Sequence, residues 1–434
     1  MKLTMTATGD SILIQGIPEG GYEGYDELVD WIAKGDARFA NLEMCVTDYD
    51  TYASTYCGGT WINARPEILD QLKGFGYDFL GYANNHAMDY GPDGCLETIA
   101  HVKERGFKIA GAGKTLTEAS EAVYKTYKGG RVAFLAMTSS FDDSARAGYP
   151  SKGVMGRPGL NGLRISKKLI LNEAHYNAMK EIAAITKLNG SKDNSRANGF
   201  TPALPEGVFE FDGLSLKLSE DGTEAKVTSC NKKDLNRMLS AIKDAKYIAD
   251  YVVIMFHSHQ IKADRSCDPD DFAIEFAHAC IDAGADVILG NGTHSFKPIE
   301  IYHGKPIFYS MGNFCYQSNV LEHSPADFAE KYSLDGLSDV QAYAARNKDW
   351  TTGLHTKIEN FRTYIPLIEF EDGKLTNLTL KPVHLGFEKP RTFKGIPYPA
   401  KGEKAKEIYE ILRDISALRG TNITFDGELM HVEI

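Results

Sequence analysis

The sequence predicts an α/β protein whose largely parallel sheet is covered by helices and interrupted by two insertions. Three observations predict it. Short apolar runs alternate with helix-period segments through residues 1–138. The same rhythm returns at 232–313, and alternation of this kind is the signature of a parallel sheet packed under helices. Five apolar runs end in polar groups, which sets side chains at the carboxyl edge where open α/β sheets build their sites.

The elements follow in order. Strands are predicted at 3–8, 37–42, 78–83, 107–110 and 131–137, with helices at 25–34, 66–74, 92–104 and 116–123 between them. Pro66 and Pro92 suit the first helical turn, and Gly35, Gly74 and Gly106 suit C-caps. The rhythm breaks at 139–230, read as a first insertion. It holds a glycine-rich stretch, a helix at 166–187, a polar stretch at 189–198 and hairpin material at 205–229 with turns at Asp212-Gly213 and Asp221-Gly222. A helix at 232–246, a strong strand at 251–256 and a helix at 271–283 with a Phe272, Phe276, Cys280 stripe resume the pattern. Strands at 286–290, 298–302 and 305–310 complete the second half, 231–315. A second insertion, 316–358, is predicted helical around 325–347. The segment 359–434 supplies a closing hairpin (361–370 and 375–383) and a last helix at 402–418 that ends the fold.

With 434 residues, 43% hydrophobic and 25% charged, the chain can bury a large core. A net charge of -11 argues against a sequence-independent nucleic-acid partner, yet allows an anionic small-molecule or peptide substrate where a metal supplies local positive charge. Seven scattered cysteines read as free thiols in a reducing compartment. No apolar N-terminal segment or membrane-length run is visible, so a cytoplasmic location is the expectation.

The chemistry sits on the five strand ends: Gly9-Asp10, Asn41-Leu42-Glu43, Asn84-Asn85-His86, His257-Ser258-His259 and Gly290-Asn291-Gly292-Thr293-His294. An Asn and a Glu at i and i+2 share one face of a strand, as do two His. Asp, Glu, Asn and His form a mixed oxygen and nitrogen donor set without thiolate, which suits Mn²⁺, Zn²⁺, Fe²⁺ or Mg²⁺. One or two divalent ions are therefore expected on Asp10, Glu43, Asn85, His257, His259 and His294. Because His86 and His294 follow small-residue turns, His86→Ala and His294→Asn are expected to spare folding. Arg146, Lys152, Arg157 and Arg164 cluster around the glycine-rich stretch, and Arg157 is a candidate grip on substrate.

These segments resemble the CapA-like, poly-γ-glutamate capsule-synthesis family. The resemblance rests on Gly9-Asp10, Asn41-Leu42-Glu43, Asn84-Asn85-His86 with Asp89 and Gly91, Gly111-Ala112-Gly113, Gly156-Arg157-Pro158-Gly159, His257, Gly284-Ala285-Asp286 through His294, and Tyr309-Ser310-Met311-Gly312-Asn313-Phe314. It implies a calcineurin-like metallophosphatase α/β sandwich. It further implies Asn85 as a ligand, Asp10 and Glu43 in the places of carboxylate ligands, and His86 as an acid or base near the leaving group. Asn41, Asn84, Arg157 and Asn313 are the expected substrate contacts, and Asp10, His86 and His294 the expected catalytic groups. The chain departs from the metallophosphatase pattern: no His follows Asp10 at i+2, and Ser258-His259 follows His257, so His259 is expected to substitute in the metal set. The implied activity is a hydrolase or transferase acting on a poly-γ-glutamate-like, peptide or phosphorylated substrate. The alternatives are a cofactor-independent peptide epimerase using Asp10 and His294, and a non-catalytic accessory protein of capsule polymer synthesis. Capsule-synthesis or peptide-maturation proteins are the expected partners.

Overall fold

A computed structural model describes residues 1–434 as a mixed α/β protein with two main sheets. The first is ten-stranded. Lys2–Ile12 lies at its centre, parallel to Ala37–Leu42, which is followed outward by Phe79–Gly81 and Lys108–Ala110, all parallel. On the other flank Arg362–Glu371 pairs antiparallel with Lys2–Ile12 and with Lys374–His384. The second sheet is six-stranded, with Tyr251–His257 between Gly130–Thr138 and Val287–Asn291, all parallel.

Side-chain alternation explains how the sheets stack. Successive residues of a strand point to opposite faces. Val253 and Met255 join Met5, Phe39, Phe79 and Phe134 in a core shared by both sheets. Their neighbours Val252, Ile254 and Phe256 pack instead with Met238, Ile242, Phe272 and Phe276 of the helices Lys232–Lys246 and Asp271–Asp282. The outer face of the first sheet, through Ala40, Leu42 and Leu80, is covered by Leu28, Leu69, Leu72 and Ile99 from helices Tyr25–Ile32, Ile68–Gly74 and Gly91–Glu104. Strands buried on both faces read as near-continuous apolar runs, which is why they were legible.

The structure differs from these expectations at five places. The helix expected over 166–187 is a strand, Ile165–Leu171, followed by a helix, Glu173–Thr186. Asn172 separates them, its side chain accepting from the His175 N–H as an N-cap. The polar stretch after it folds as a helix, Gly190–Ala197, and Arg196 at its end pairs with Glu210 of the adjacent strand. The hairpin expected at Asp212-Gly213 joins Val208–Phe211 to Leu214–Leu218, but the one expected at Asp221-Gly222 does not pair its strands: Ile165–Leu171 lies between Leu214–Leu218 and Ala225–Cys230. The helical segment 325–347 is two short helices, Ala326–Tyr332 and Asp339–Arg346. Ser333 takes a left-handed conformation between them, and a Ser338–Gln341 capping box starts the second. Finally, the helix Glu403–Ala417 does not end the fold: the hairpin Ile423–Phe425 and Met430–Val432 follows it and extends the first sheet.

No helix is long and apolar enough to cross a membrane. The seven cysteines are all unpaired.

Candidate metal centre

Parallel strands in both sheets bring their carboxyl ends to one place. In the first sheet Asp10 is in register with Asn41 on one side and Asn313 on the other. Glu43 follows the second strand, and Asn84 to His86 follow Phe79–Gly81. In the second sheet His257 is in register with Asn291, and His294 stands three residues beyond the strand Val287–Asn291.

Glu43 is the pivot. Its side chain is fully buried, neither carboxylate oxygen accepts from any N–H or hydroxyl group, and the adjacent Asp10 carboxyl can pair with it only by sharing a proton. An orphaned buried carboxylate costs several kcal/mol unless something positive accompanies it, on the order of the desolvation penalty for one ion. Two donor groups flank it. On one side Glu43 Oε1 is 3.5 Å from His257 Nε2 and 3.7 Å from His259 Nε2. Asn85 Oδ1 closes this side at 2.7 Å from His257 Nε2 and 3.0 Å from His259 Nε2. On the other side His294 Nδ1 is 4.0 Å from Asp10 Oδ2 and 4.0 Å from Glu43 Oε2. The six residues expected as ligands are thus brought together as two sets sharing Glu43. Four donors at short range make the first set the tighter.

The electrostatics match a cation site. Burial raises Glu43 well above the usual carboxylate range, and the neighbouring Asp10 charge pushes it further. Burial raises Asp10 to about 7, against the pull of hydrogen bonds from Asn41 and the Gly292 N–H. Burial also holds His257 and His259 well below the usual histidine range, and His294 at about 4. Every group is penalised for carrying its own charge in the metal-free protein. A divalent ion inverts that balance, since it is the largest local charge in any site that holds one. The residues present therefore fit a divalent metal.

The surrounding groups orient these donors. His257 Nδ1 is 2.8 Å from Asn291 Oδ1; a proton there leaves Nε2 as the lone-pair atom facing Glu43. Asn85 Nδ2 donates to the Gly58 carbonyl (2.9 Å), which aims its Oδ1 at the two imidazoles. Gly58 has no room for a Cβ, which would stand 2.5 Å from Asn85 Nδ2. His294 has a left-handed backbone (φ 59), a strained conformation that a histidine adopts at a cost of about 1 kcal/mol or more. Its Nδ1 donates to Asn313 Oδ1 (2.9 Å), whose Nδ2 is committed to the carbonyls of His294 and Asn360, so Nδ1 must give up that proton before it can join Asp10 and Glu43 around an ion.

His86 stands apart from both donor sets. Its Nδ1 is 2.7 Å from the buried Asp89 Oδ2, and it faces a cavity of ≈ 390 Å³ together with His294. Asp89 in turn accepts from the backbone N–H groups of Gly58 and Ile62. The expectation that His86 can be truncated without a folding cost is therefore corrected: it partners a buried carboxylate.

The four residues expected to touch substrate have other places. Asn41 donates to Asp10 Oδ1 (2.8 Å), Asn84 donates to the Leu42 carbonyl (2.7 Å), and Asn313 donates to the carbonyls of His294 and Asn360. All three are fully buried behind the donors and line no part of the cavity. Arg157 lies outside it as well, its Nε donating to the Arg146 carbonyl. Its glycine-rich surroundings gave local positive charge but no link to the strand ends. Arg164, from the same cationic cluster, is spent on Asp234. Sequence reasoning missed Asn291 as the partner of His257, although it lies in a quoted segment. It also missed the cavity wall from 343–357, for which no local signal exists.

The fold and the site define an α/β protein with a candidate divalent-metal centre at its strand ends. Residues 4–318 match the family described as Bacterial capsule synthesis protein PGA_cap, and the chain belongs to that family. It is 30% identical over 438 residues to the uncharacterized protein y4uA of Sinorhizobium fredii, covering 98% of this chain and 92% of that one. It is similar to the PGA biosynthesis protein CapA of Bacillus subtilis, 27% identical across 59% of this chain and 47% of that protein. The capsule biosynthesis protein CapA of Bacillus anthracis is 24% identical across 73% of this chain and 60% of its own length.

Proposed function

We propose that this chain is a metal-dependent hydrolase or transferase acting on a poly-γ-glutamate-like, peptide or phosphorylated substrate. Its framework is read as a calcineurin-like sandwich, with 1–138 and 231–315 as its halves, 139–230 and 316–358 as insertions, and 359–434 completing it. The observation that carries the reading is Glu43, buried with both oxygens orphaned between two sets of metal-ligating atoms. Membership of a capsule-synthesis family, and similarity to proteins named for PGA biosynthesis, support the substrate class.

Glu43, Asn85, His257 and His259 would hold one ion, and Asp10, Glu43 and His294 a second. A divalent ion held there supplies Lewis-acid polarisation of a substrate oxygen and a lowered pKa for water. The protein's own groups do the rest. Asn291 fixes the His257 ring, and Asn41 fixes the Asp10 carboxylate. Asp89 holds His86 through Nδ1, which leaves Nε2 facing the cavity to give or take a proton at the leaving group. Unpaired cysteines fit a reducing cytoplasm.

A second reading is cofactor-independent epimerisation by Asp10 and His294. His294 reaches the cavity, but Asp10 is fully buried and 4.0 Å from His294, so the two would have to part to take a substrate Cα between them. The test is an assay of γ-glutamyl peptide and phosphoester cleavage with Mn²⁺ or Zn²⁺ and with chelator, alongside deuterium uptake from solvent at substrate Cα. The proposal expects cleavage that chelation abolishes and Glu43→Gln removes. Chelator-resistant deuterium uptake without cleavage would replace it with the second reading.

A further inference from the structure

The cavity at the candidate metal centre has a second wall, contributed by the segment after Tyr316. His86 and His294 line it from the strand ends. Arg346, Lys357 and His355 line it from that later segment, with Tyr343 and Asn347. No Asp or Glu lines this cavity, in a chain whose net charge is -11. Arg346 forms no ion pair: its only hydrogen bond is Nη1 to Asn347 Oδ1 (3.1 Å), and its guanidinium lies 5.3 Å from the Tyr332 ring centroid. Lys357 is exposed and forms no ion pair either.

The elements explain why both cations are free. Arg346 is the last residue of the helix Asp339–Arg346, where a cation is favoured by the helix dipole. Asn347 is buried and donates to the Tyr343 carbonyl (2.8 Å), which leaves its Oδ1 to steady the guanidinium. Lys357 sits between two short 3₁₀ turns, Leu354–Thr356 and Ile358–Phe361. A concave wall with cations of one sign and no carboxylate concentrates anions, and a guanidinium fork matches the two oxygens of a carboxylate or phosphate.

We propose that Arg346 and Lys357 form an oxyanion subsite. It holds a carboxylate or phosphate group of the substrate remote from the bond or atom that reacts. The subsite rests on the reading above that the cluster around Glu43 is where the reaction occurs. It assigns to the segment 339–357 the role of setting substrate charge, which the glycine-rich stretch near Arg157 was expected to play.

The experiment is calorimetric titration of the full chain with three probes: a γ-linked glutamate tripeptide, its neutral amide, and inorganic phosphate. Wild type, Arg346→Ala, Arg346→Lys and Lys357→Ala are compared, with bound manganese and melting temperature measured on each. The proposal expects the tripeptide, the phosphate or both to bind wild type, and the amide to bind at least about 10-fold more weakly than the acid. Each Ala variant should raise Kd for the bound anion about 10-fold or more, and Arg346→Lys should recover part of it, while manganese content and melting temperature stay level. Which anion responds tells a carboxylate substrate from a phosphorylated one. Equal binding by the Ala variants, equal binding of acid and amide, or no binding of either anion to wild type would overturn the proposal. Absence of manganese from every protein, with anion binding still dependent on Arg346, would instead overturn the metal reading and leave the subsite standing.

Discussion

At the scale of single residues, the partners of two histidines, Asp89 beside His86 and Asn291 beside His257, have different meanings. Asp89 is buried and relies on His86 together with two backbone N–H groups. His86→Ala should therefore destabilise the fold by about 1–3 kcal/mol, the usual cost of leaving a buried polar group short of a partner. Denaturant unfolding of His86→Ala beside His86→Gln checks it, and an unchanged midpoint would count against the pairing. Asn291 acts differently: it touches the ring of His257, not the cavity. Asn291→Ala should weaken metal binding by roughly 10–100-fold, as loss of an orienting partner does, with a visible shift in competition titrations. Strand-end donors were legible because Asp10, Glu43 and His257 each end an apolar run, which is local information. The roles of Asn291 and Asn313 were not, since each depends on which strand lies alongside. Arg346 and Lys357 were invisible for the same reason, lying about 260 residues along the chain from His86.

At the scale of elements, the double-faced strands and their helices were legible from periodicity, with shifts of a few residues at their ends. The small four-stranded sheet was not. The run Ile165–Leu171 carries apolar residues that serve a helix or a strand equally, and only its pairing with Ala225–Cys230 decides. Asp234, on the helix Lys232–Lys246, ties this region to that helix through Arg164, the residue before Ile165–Leu171. Burial works against its charge, yet hydrogen bonds from Arg164 and Arg237 prevail and hold its carboxyl down at about 2. Because the folded value lies below the ordinary 3.8, the pair contributes its full stability above about pH 4 and loses it as pH falls toward 2. The expected contribution is about 2 kcal/mol at neutral pH. Asp234→Asn should lose about that much at pH 7 and show a flatter stability profile between pH 4 and 2 in urea titrations. A variant with the wild-type acid profile would show that other carboxylates govern it.

At the scale of the whole molecule, the parallel strands of two mixed sheets converge their carboxyl ends on one buried cluster. Neither sheet alone holds a complete donor set: the first supplies Asp10, Glu43 and Asn85, the second His257, His259 and His294. The convergence is why the sites could be anticipated from five strand ends, though not the sharing of Glu43 between two donor sets. The central claim is that Glu43 is buried without partners because it belongs to a divalent ion. Elemental analysis of wild type and Glu43→Gln, each equilibrated with Mn²⁺ or Zn²⁺ and then desalted, tests it most directly when paired with melting curves taken with and without chelator. The account predicts bound metal in wild type, little or none in Glu43→Gln, and a metal-free melting temperature that is no lower in the variant, because a neutral amide replaces a buried carboxyl that burial already disfavours in its charged form. Wild type that retains no metal, or Glu43→Gln that retains the wild-type amount, would contradict it.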